Sequence, residues 1–573
     1  MWRTGFSRSS QAWRRACTQY GRRWQSSKAW GSGASHRFAQ RNSRMARVSV
    51  LAAGMAAVAG AGAASWNASV QNDEFSSTTR LDELQSPQYC HDADKFAEAV
   101  EKLKKLLNND EECFSVSKSD LDAHSDTYFN THHATPEQRP RIVLYPHNTE
   151  EVSEVLKICH EYAIPVVPFS GGTSLEGHFL PTRIGCTVTL DLSKYMNKIK
   201  KLNKTDLDVE VQAGVPWEDL NDFLNEKGLL FGCDPGPGAQ IGGCVANSCS
   251  GTKAYRYGTM KENVVNLTAV LADGTVIKTK RRPRKSSAGY NLNGLLIGSE
   301  GTLAVVTEAT IKCHVRPAFE NVAVGSFPTI ADAAACTSRI IQEGIQLNAM
   351  ELLDDNMMRI VNKSGATYKT DWIEAPTLFF KVGGRNKKII AELIHEVDRI
   401  AQHHGCHKFE FAKDDDERLE LWEARKVALW SVINDGKSRD PDVNVWTTDV
   451  AVPLSQFANV IGATKKDMDA SGLQNAIVGH AGDGNFHTFL LYNDKEREKA
   501  GRLVDSMVKR AIDAEGTCTG EHGVGMGKRG YLLEELGDAP VDFMRRLKLA
   551  ADPKRILNPD KIFKIDPEDK EGH

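Results

Sequence analysis

The stretch Asp234-Pro-Gly-Pro-Gly-Ala-Gln-Ile-Gly-Gly-Cys-Val-Ala-Asn-Ser-Cys-Ser-Gly251, running on to Tyr257-Gly258, decides the fold. Its eighteen residues are almost all small and include two prolines, so they cannot form a core on their own account. Such a segment suits a backbone that passes closely along a flat, extended ligand, because glycine carries no Cβ to hold the ligand off. Upstream lies Pro168-Phe-Ser-Gly-Gly-Thr-Ser174, after the apolar run Ile164–Pro168. Here Gly171 and Gly172 let successive N–H groups point at an anion, and Ser170, Thr173 and Ser174 add hydroxyl donors. The glycines are adjacent and no Gly-Lys-Ser/Thr follows, which excludes a P-loop and the G-x-G-x-x-G fingerprint. Read alone, this loop is equally compatible with an ordinary tight turn. Downstream, Gly298-Ser-Glu-Gly-Thr-Leu303 leads into a strand over Ala304–Thr307.

Around these loops the hydrophobic period predicts an α+β domain over residues 139–316. Strands are expected at Arg141–Tyr145, Ile164–Pro168, Thr187–Asp191, Val209–Gln212 and Leu303–Lys312, with a hairpin of Leu267–Leu271 and Thr275–Thr279 around Ala272-Asp-Gly274. A helix over Thr149–Tyr162 is expected to be capped by Thr149, with Glu150 and Glu151 in its first turn. Residues 73–138 read as a polar helical lead-in, with a helix at Asp94–Leu107, packed on the surface. Residues 317–573 change texture. Helices at Ile330–Glu343, Ile389–His404 and Asp415–Val432, with a strand at Thr377–Val382, predict a second α+β domain that holds most of the histidines.

That second domain carries two glycine-flanked segments, Gly479-His-Ala-Gly-Asp-Gly-Asn-Phe-His487 and Gly520-Glu-His-Gly-Val-Gly525. Strands on either side of the first turn would let His480 and His487 flank one pocket. Two imidazoles with a carboxylate, Glu521, form a catalytic metal set that leaves coordination positions open, and His522 stands beside it. Glycine flanks offer no core packing to explain these side chains otherwise, although a hydrogen-bonded polar turn is the alternative. Arg425, on the helix Leu421-Trp-Glu-Ala-Arg425, has no acidic partner at helical spacing. It is therefore a candidate to grip a substrate carboxylate bidentately.

The chain as a whole sets limits. Its 573 residues call for two or three domains, and a formal net charge of −3 gives no support for nucleic acid as a partner. The twelve cysteines contain no C-x-x-C pair, so reduced, mostly buried thiols are expected and a c-type haem on this chain is excluded. Charge is uneven: Met1–Asn72 holds no acidic residue and many arginines and serines. Residues 1–47 read as a mitochondrial targeting segment, with a basic tail as the alternative. Residues 48–66 follow as an apolar stretch whose uncharged part, Val48–Ala64, lies at the lower edge of bilayer-spanning length. It reads as an inner-membrane sorting stop, with an Ala-rich linker helix as the alternative. The expected location is the inner membrane or intermembrane space.

At their separations the three glycine-containing pieces together resemble the FAD-binding domain of the vanillyl-alcohol-oxidase (PCMH) type, over about Pro140–Val315. The resemblance implies non-covalent FAD, although some members use a covalent histidine and His178 is the nearest candidate here. By motif, Pro168, Phe169, Ser170, Gly171, Gly172, Thr173 and Ser174 would hold the pyrophosphate. Asp234, Pro235, Gly236, Gly238, Gly242, Gly243, Asn247, Ser248, Cys249, Ser250, Gly251, Tyr257 and Gly258 would pass the isoalloxazine and ribityl groups. Glu300, Gly301, Thr302, Leu303 and Val306 would close the site. The C-terminal half is similar to that of FAD-linked D-2-hydroxy-acid dehydrogenases, including its ending, Asp552–Phe563, which implies packing and places Asn558 near the flavin. That resemblance implies zinc or a similar divalent ion on His480, His487 and Glu521, with His522 as the base and Arg425 as the clamp. It further implies D-lactate as substrate and cytochrome c as electron acceptor. Relatives that oxidise D-2-hydroxyglutarate tend to carry a lysine just before the Asp of Trp446-Thr-Thr-Asp-Val450. Thr447 and Thr448 stand here instead, which favours a substrate with one carboxylate. Oxidation of D-2-hydroxyglutarate, an alkyl-glycerone-phosphate synthase-like transferase that needs no metal, and a non-catalytic scaffold are the alternatives.

Overall fold

The computed structural model describes residues 76–569. The expected targeting segment and the apolar stretch lie outside them. Among the described residues no helix is long and apolar enough to cross a membrane.

The first half holds two sheets. A four-stranded sheet orders Phe114–Ser115, Ile142–Leu144, Val188–Asp191 and Val166–Phe169, with the last three parallel. Helices Ala93–Leu106 and Thr149–Tyr162 cover it, burying Phe96, Leu103, Val152, Val155 and Leu156 with the strands' Ile142, Leu144 and Val188. The lead-in therefore does not merely pack on the surface. It contributes an edge strand and part of the core, because its amphipathic helix shares one apolar stripe with Thr149–Tyr162. That second helix is capped by Asn148, whose side chain accepts from Glu151 N at 2.8 Å. The expected cap, Thr149, is the first helical residue and donates instead to Thr307 Oγ1.

A five-stranded antiparallel sheet follows, in the order Ile199–Asn203, Asp208–Gln212, Val305–Lys312, Val264–Val270 and Val276–Lys278. The small-residue run overturns one expectation. Ile241–Ala246 form a short helix, and Ile241, Cys244, Val245 and Cys249 belong to the core beneath this sheet. Gly242 lets that helix lie against Ala213, just after the Asp208–Gln212 strand, so close approach there serves packing as well.

The second half is built on an eight-stranded antiparallel sheet. Its main path runs Lys408–Phe411, Phe319–Ser326, Thr377–Gly384, Ala349–Leu353, Gln474–His480, Asn485–Tyr492 and Asn444–Thr447. Helices Ile330–Gln342, Lys387–His403, Leu454–Ser471 and Arg497–Asp513 contribute to one core. Asp355–Ser364, Asp415–Lys426 and Ala428–Lys437 contribute to another. The single helix expected over Asp415–Val432 is broken at Val427, so that Trp422, Ala428 and Val432 all reach that core. The C-terminal tail returns to the first half: Val166 N donates to Ile556 O and Asn558 N donates to Val166 O, each at 2.8 Å. It thereby covers the open edge of the strand that enters the first glycine loop. The eleven described cysteines are free, and ten are buried.

Candidate active site

The three glycine-containing pieces meet. A Cβ on Gly171 would collide with the carbonyl of Gly238. One on Gly243 would lie 3.1 Å from Ser170 Oγ, and one on Gly301 would lie 3.0 Å from Pro168. Gly172 and Gly238 adopt φ of 63° and 83°, a region that side chains disfavour. The result is a cradle of close backbone passes whose walls leave polar atoms unused. Gln240 Oε1, Asn558 Oδ1 and His178 Nδ1 are buried without a hydrogen-bond partner among the described residues, while His178 Nε2 lies 3.4 Å from Glu300 Oε2. A cradle with unsatisfied donors and acceptors fits a polar, flat cofactor.

Several residues expected at that cofactor have other engagements. The Asp234 carboxylate folds its own loop, accepting from Thr252 Oγ1 and Lys253 N at 2.6 and 3.0 Å. Leu303, Val306 and Cys249 are core. Tyr257 packs on His314. Glu300 accepts from Val524 N and Gly525 N at 2.6 and 2.8 Å, so its carboxylate clips the second half onto the first. Asn558 Nδ2 donates to the carbonyls of His178 and Glu300, and its Oδ1 has no partner among the described residues.

His480 ends one strand of the Gln474–Tyr492 hairpin and His487 lies on the other, with Glu521 on the loop after Thr519. Glu521 Oε1 stands 3.0 Å from His480 Nε2 and 3.2 Å from His487 Nε2. The other ring nitrogens are occupied. His480 Nδ1 donates to Glu351 Oε1 at 2.9 Å, and His487 Nδ1 donates to the Thr448 carbonyl at 3.0 Å. Those bonds fix both tautomers and turn both Nε2 lone pairs toward one carboxylate oxygen. Two lone pairs and an anionic oxygen at this separation require a cation or a proton between them, and the donor set is one that zinc accepts. The protein's own charges point the same way. Burial opposes ionisation of both groups, yet the Glu351 and Glu521 carboxylates hold His480 far above the usual imidazole range. His480 and His487 in turn hold Glu521 well below the carboxylate range.

His522 stacks on His487 with ring centroids 4.9 Å apart. Burial lowers its pKa to about 4, so the ring is neutral at pH 7, and its sealed Nδ1 has no partner among the described residues. Arg425 has no acidic partner on its own helix, but it has one elsewhere in the fold. Its Nε donates to Glu351 Oε2 at 2.7 Å, from the helix to the Ala349–Leu353 strand, a tertiary contact that helical spacing could not reveal. Glu351 thus joins Arg425 to His480.

Reasoning on sequence missed four residues. Glu351 is fully buried, and its signal was a lone carboxylate in the apolar strand Ala349–Leu353. Asp449 Oδ2 accepts from Glu521 N, His522 N and Thr519 Oγ1, while Oδ1 accepts from Asn485 Nδ2 at 2.7 Å. Burial opposes its charge, but His522, Lys528 and His487 hold its pKa far below the ordinary value. Lys528 spans from Asp449, at 3.8 Å, to Glu176 of the first half, at 3.3 Å. Nothing local in the sequence marked Glu176 or Lys528.

Two family models match the chain: the FAD binding domain over residues 140–280 and the FAD linked oxidases, C-terminal domain over residues 316–562. They define the class, an FAD-dependent oxidoreductase with a cofactor half and an oxidase half. Among solved structures, 4-ethylphenol oxidase from Gulosibacter chungangensis has a TM-score of 0.68 at 18% identity, covering 85% of this chain and 99% of its own. An alkyldihydroxyacetonephosphate synthase has a TM-score of 0.62 at 19% identity, covering 84% and 87%. At these identities they share the fold alone. Mitochondrial D-lactate dehydrogenase [cytochrome] of Kluyveromyces lactis is 71% identical over 493 residues, 86% of this chain and 85% of its own. Mitochondrial D-lactate dehydrogenase [cytochrome] 1 of Saccharomyces cerevisiae is 68% identical over 496 residues, 86% and 84%. The chain belongs to the D-lactate dehydrogenase (cytochrome) family of FAD-linked oxidoreductases.

Proposed function

We propose that this protein oxidises D-lactate to pyruvate and delivers the electrons to cytochrome c. The observation that carries this reading is the convergence of His480, His487 and Glu521 beside a neutral His522. The loop that supplies Glu521 and His522 is clipped to the cofactor half through Glu300. Substrate and a cytochrome as acceptor follow the names of the relatives at 71% and 68% identity, and cytochrome c is our choice among cytochromes. When bound, FAD supplies a two-electron acceptor for the hydride that leaves C2. A divalent ion, zinc by its donor set, supplies a Lewis acid that makes the 2-hydroxyl more acidic.

The chain's own residues do the rest. His480 and His487 would hold the ion through Nε2, because Glu351 and Thr448 hold their Nδ1 protons. Arg425, anchored at Nε by Glu351, offers its terminal nitrogens to the substrate carboxylate. His522 takes the hydroxyl proton at Nε2, since Nδ1 is sealed. Loss of that proton and of the C2 hydride leaves the 2-keto acid. We place the protein in the mitochondrion, as the relatives' names favour, and at the inner membrane or in the intermembrane space, as the composition of residues 1–66 favours.

The test is stopped-flow bleaching of the flavin band in the holoenzyme with D-lactate, L-lactate or D-2-hydroxyglutarate, with and without chelator. Fast bleaching by D-lactate alone, lost on chelation, is the expected result. Preference for D-2-hydroxyglutarate would keep the mechanism and replace the substrate. No bleaching by any 2-hydroxy acid would return the fold to transferase chemistry.

A further inference from the structure

Far along the chain from the catalytic segments, one surface loop of the cofactor half carries charge of a single sign. Residues 274–299 contain six cations, Lys278, Lys280, Arg281, Arg282, Arg284 and Lys285, and no acid. The loop is built, with its base closed where Thr279 Oγ1 donates to Asn293 Oδ1 at 2.5 Å. Asn293 Nδ2 in turn donates to Val265 O at 2.9 Å. Arg282 anchors its middle on the hairpin below, 2.5 Å from Asp206 and 3.8 Å from both Asp208 and Glu210.

That anchor engages Asp206, Asp208 and Glu210, and beside the loop Glu262 faces Lys312. Among the described residues no carboxylate pairs with Lys280, Arg281, Arg284 or Lys285, and the last three are exposed. More cations gather beside them. Burial together with Lys280 and Arg284 depresses Lys312 on the neighbouring strand. Burial together with Lys312, Arg284 and Arg256 lowers His314 to about 4. Ordinary solvated surface mixes its signs, whereas here like charges crowd one another across three elements. At the loop's far end Tyr290, after Gly289, is 95% exposed, and Leu295 on the short helix that follows is also exposed.

We propose that this loop docks the protein on an anionic phospholipid surface. Clustered lysines and arginines are drawn to a negatively charged leaflet without needing a shaped partner. An aromatic ring with a polar tip, set beside them, suits the headgroup layer. Arg282 ties the loop to the hairpin below, and Lys280, Arg281, Arg284 and Lys285 meet the lipid phosphates. An acidic protein or a nucleic acid could meet the same charges and pack on Tyr290. The choice of lipid rests on the mitochondrial placement proposed above and on the apolar stretch Val48–Ala64 in the sequence, and the retention measurements below separate the three.

The experiment uses the full-length holoenzyme and sedimentation with vesicles of phosphatidylcholine, alone or mixed with cardiolipin. A variant combining Lys280→Glu, Arg281→Glu and Arg284→Glu is compared with Tyr290→Ala. Flavin absorbance and melting temperature serve as controls for folding. Binding should require cardiolipin and weaken with salt as the screening length falls from about 10 Å at 0.1 M to about 3 Å at 1 M. The triple variant should lose at least about tenfold in partitioning. Hydrogen exchange locates the contact independently of the basic N-terminus, and amides of residues 280–291 should slow on anionic vesicles only. Unchanged exchange in this loop, or full binding by the triple variant, would overturn the proposal. Tighter salt-sensitive retention on nucleic acid than on cardiolipin vesicles would overturn it as well.

Discussion

Asp449 carries more of the candidate site than any residue singled out in the sequence. One carboxylate oxygen receives the amides of Glu521 and His522, and the other receives Asn485 from the hairpin turn between His480 and His487. It sets the spacing between the two loops without being a member of the His480, His487 and Glu521 set. Replacing Asp449 with Asn keeps the shape and removes the charge opposite Lys528. Turnover is expected to fall about ten- to a hundredfold, as for other groups that orient metal ligands. Bound FAD should be unchanged, and melting should drop because Lys528 is left buried beside only Glu176. Glu521→Gln should act differently. Metal content, measured by elemental analysis, should be lost, and turnover should fall about a thousandfold with the flavin spectrum intact. Retention of a full equivalent of metal in that variant would remove Glu521 from the ligand set. These residues differ in how visible they were. The glycine flanks exposed His480, His487, Glu521 and His522, whereas Asp449 looked like one polar residue in a strand and Glu351 like an oddity in an apolar one.

Among elements, the cradle is the part most sensitive to a single atom. Gly171→Ala places a methyl group against the Gly238 carbonyl, so the two loops must separate. The purified variant should retain its fold and lose most of its FAD, read as the ratio of flavin to protein absorbance. The docking of the lead-in makes a different prediction. His124, just after the Lys118–Ala123 helix, pairs through Nε2 with Asp191 at 3.0 Å in the first sheet. Burial works against its charge, but Asp191 and the Asp120 carbonyl raise its pKa above the ordinary value. The folded state therefore binds this proton more tightly than the unfolded chain. That stabilisation is complete below about pH 6.5 and is lost as pH rises through the elevated folded value. Melting temperature should decline across that window, and Asp191→Asn should flatten the decline. Element boundaries themselves were legible where the period was strong, as in Thr149–Tyr162, while the 267–279 hairpin was legible as a hairpin although its first strand begins at Val264. The break at Val427 and the cap at Asn148 were not, because each answers to packing by neighbours distant in the chain.

On the scale of the molecule, function depends on the seam between the halves. Glu300 of the cofactor half receives two amides from the loop after His522, and Lys528 bridges Asp449 and Glu176. Glu300→Gln should halve the acceptors available to Val524 and Gly525. A loss of about 1–3 kcal/mol in unfolding free energy is expected from denaturant titration. The KM for D-lactate should rise more than kcat falls, since the seam positions the substrate half over the cofactor half. Equal stability and kinetics in that variant would show that the halves are held elsewhere.

The chain by itself determined the two α+β halves, the glycine pieces that form the cradle and the four chemical side chains of the second half. Those are local properties: alternating burial, the missing Cβ of glycine, and imidazoles where no core could use them. Only the tertiary structure decided that Arg425 is tied to Glu351, that the small-residue run is partly core, and that Asp449 and Lys528 hold the site loops together. Each of these depends on which distant groups share a low-dielectric interior. A buried charge chooses its partner by distance in space, and hydrophobic periodicity carries no information about that distance.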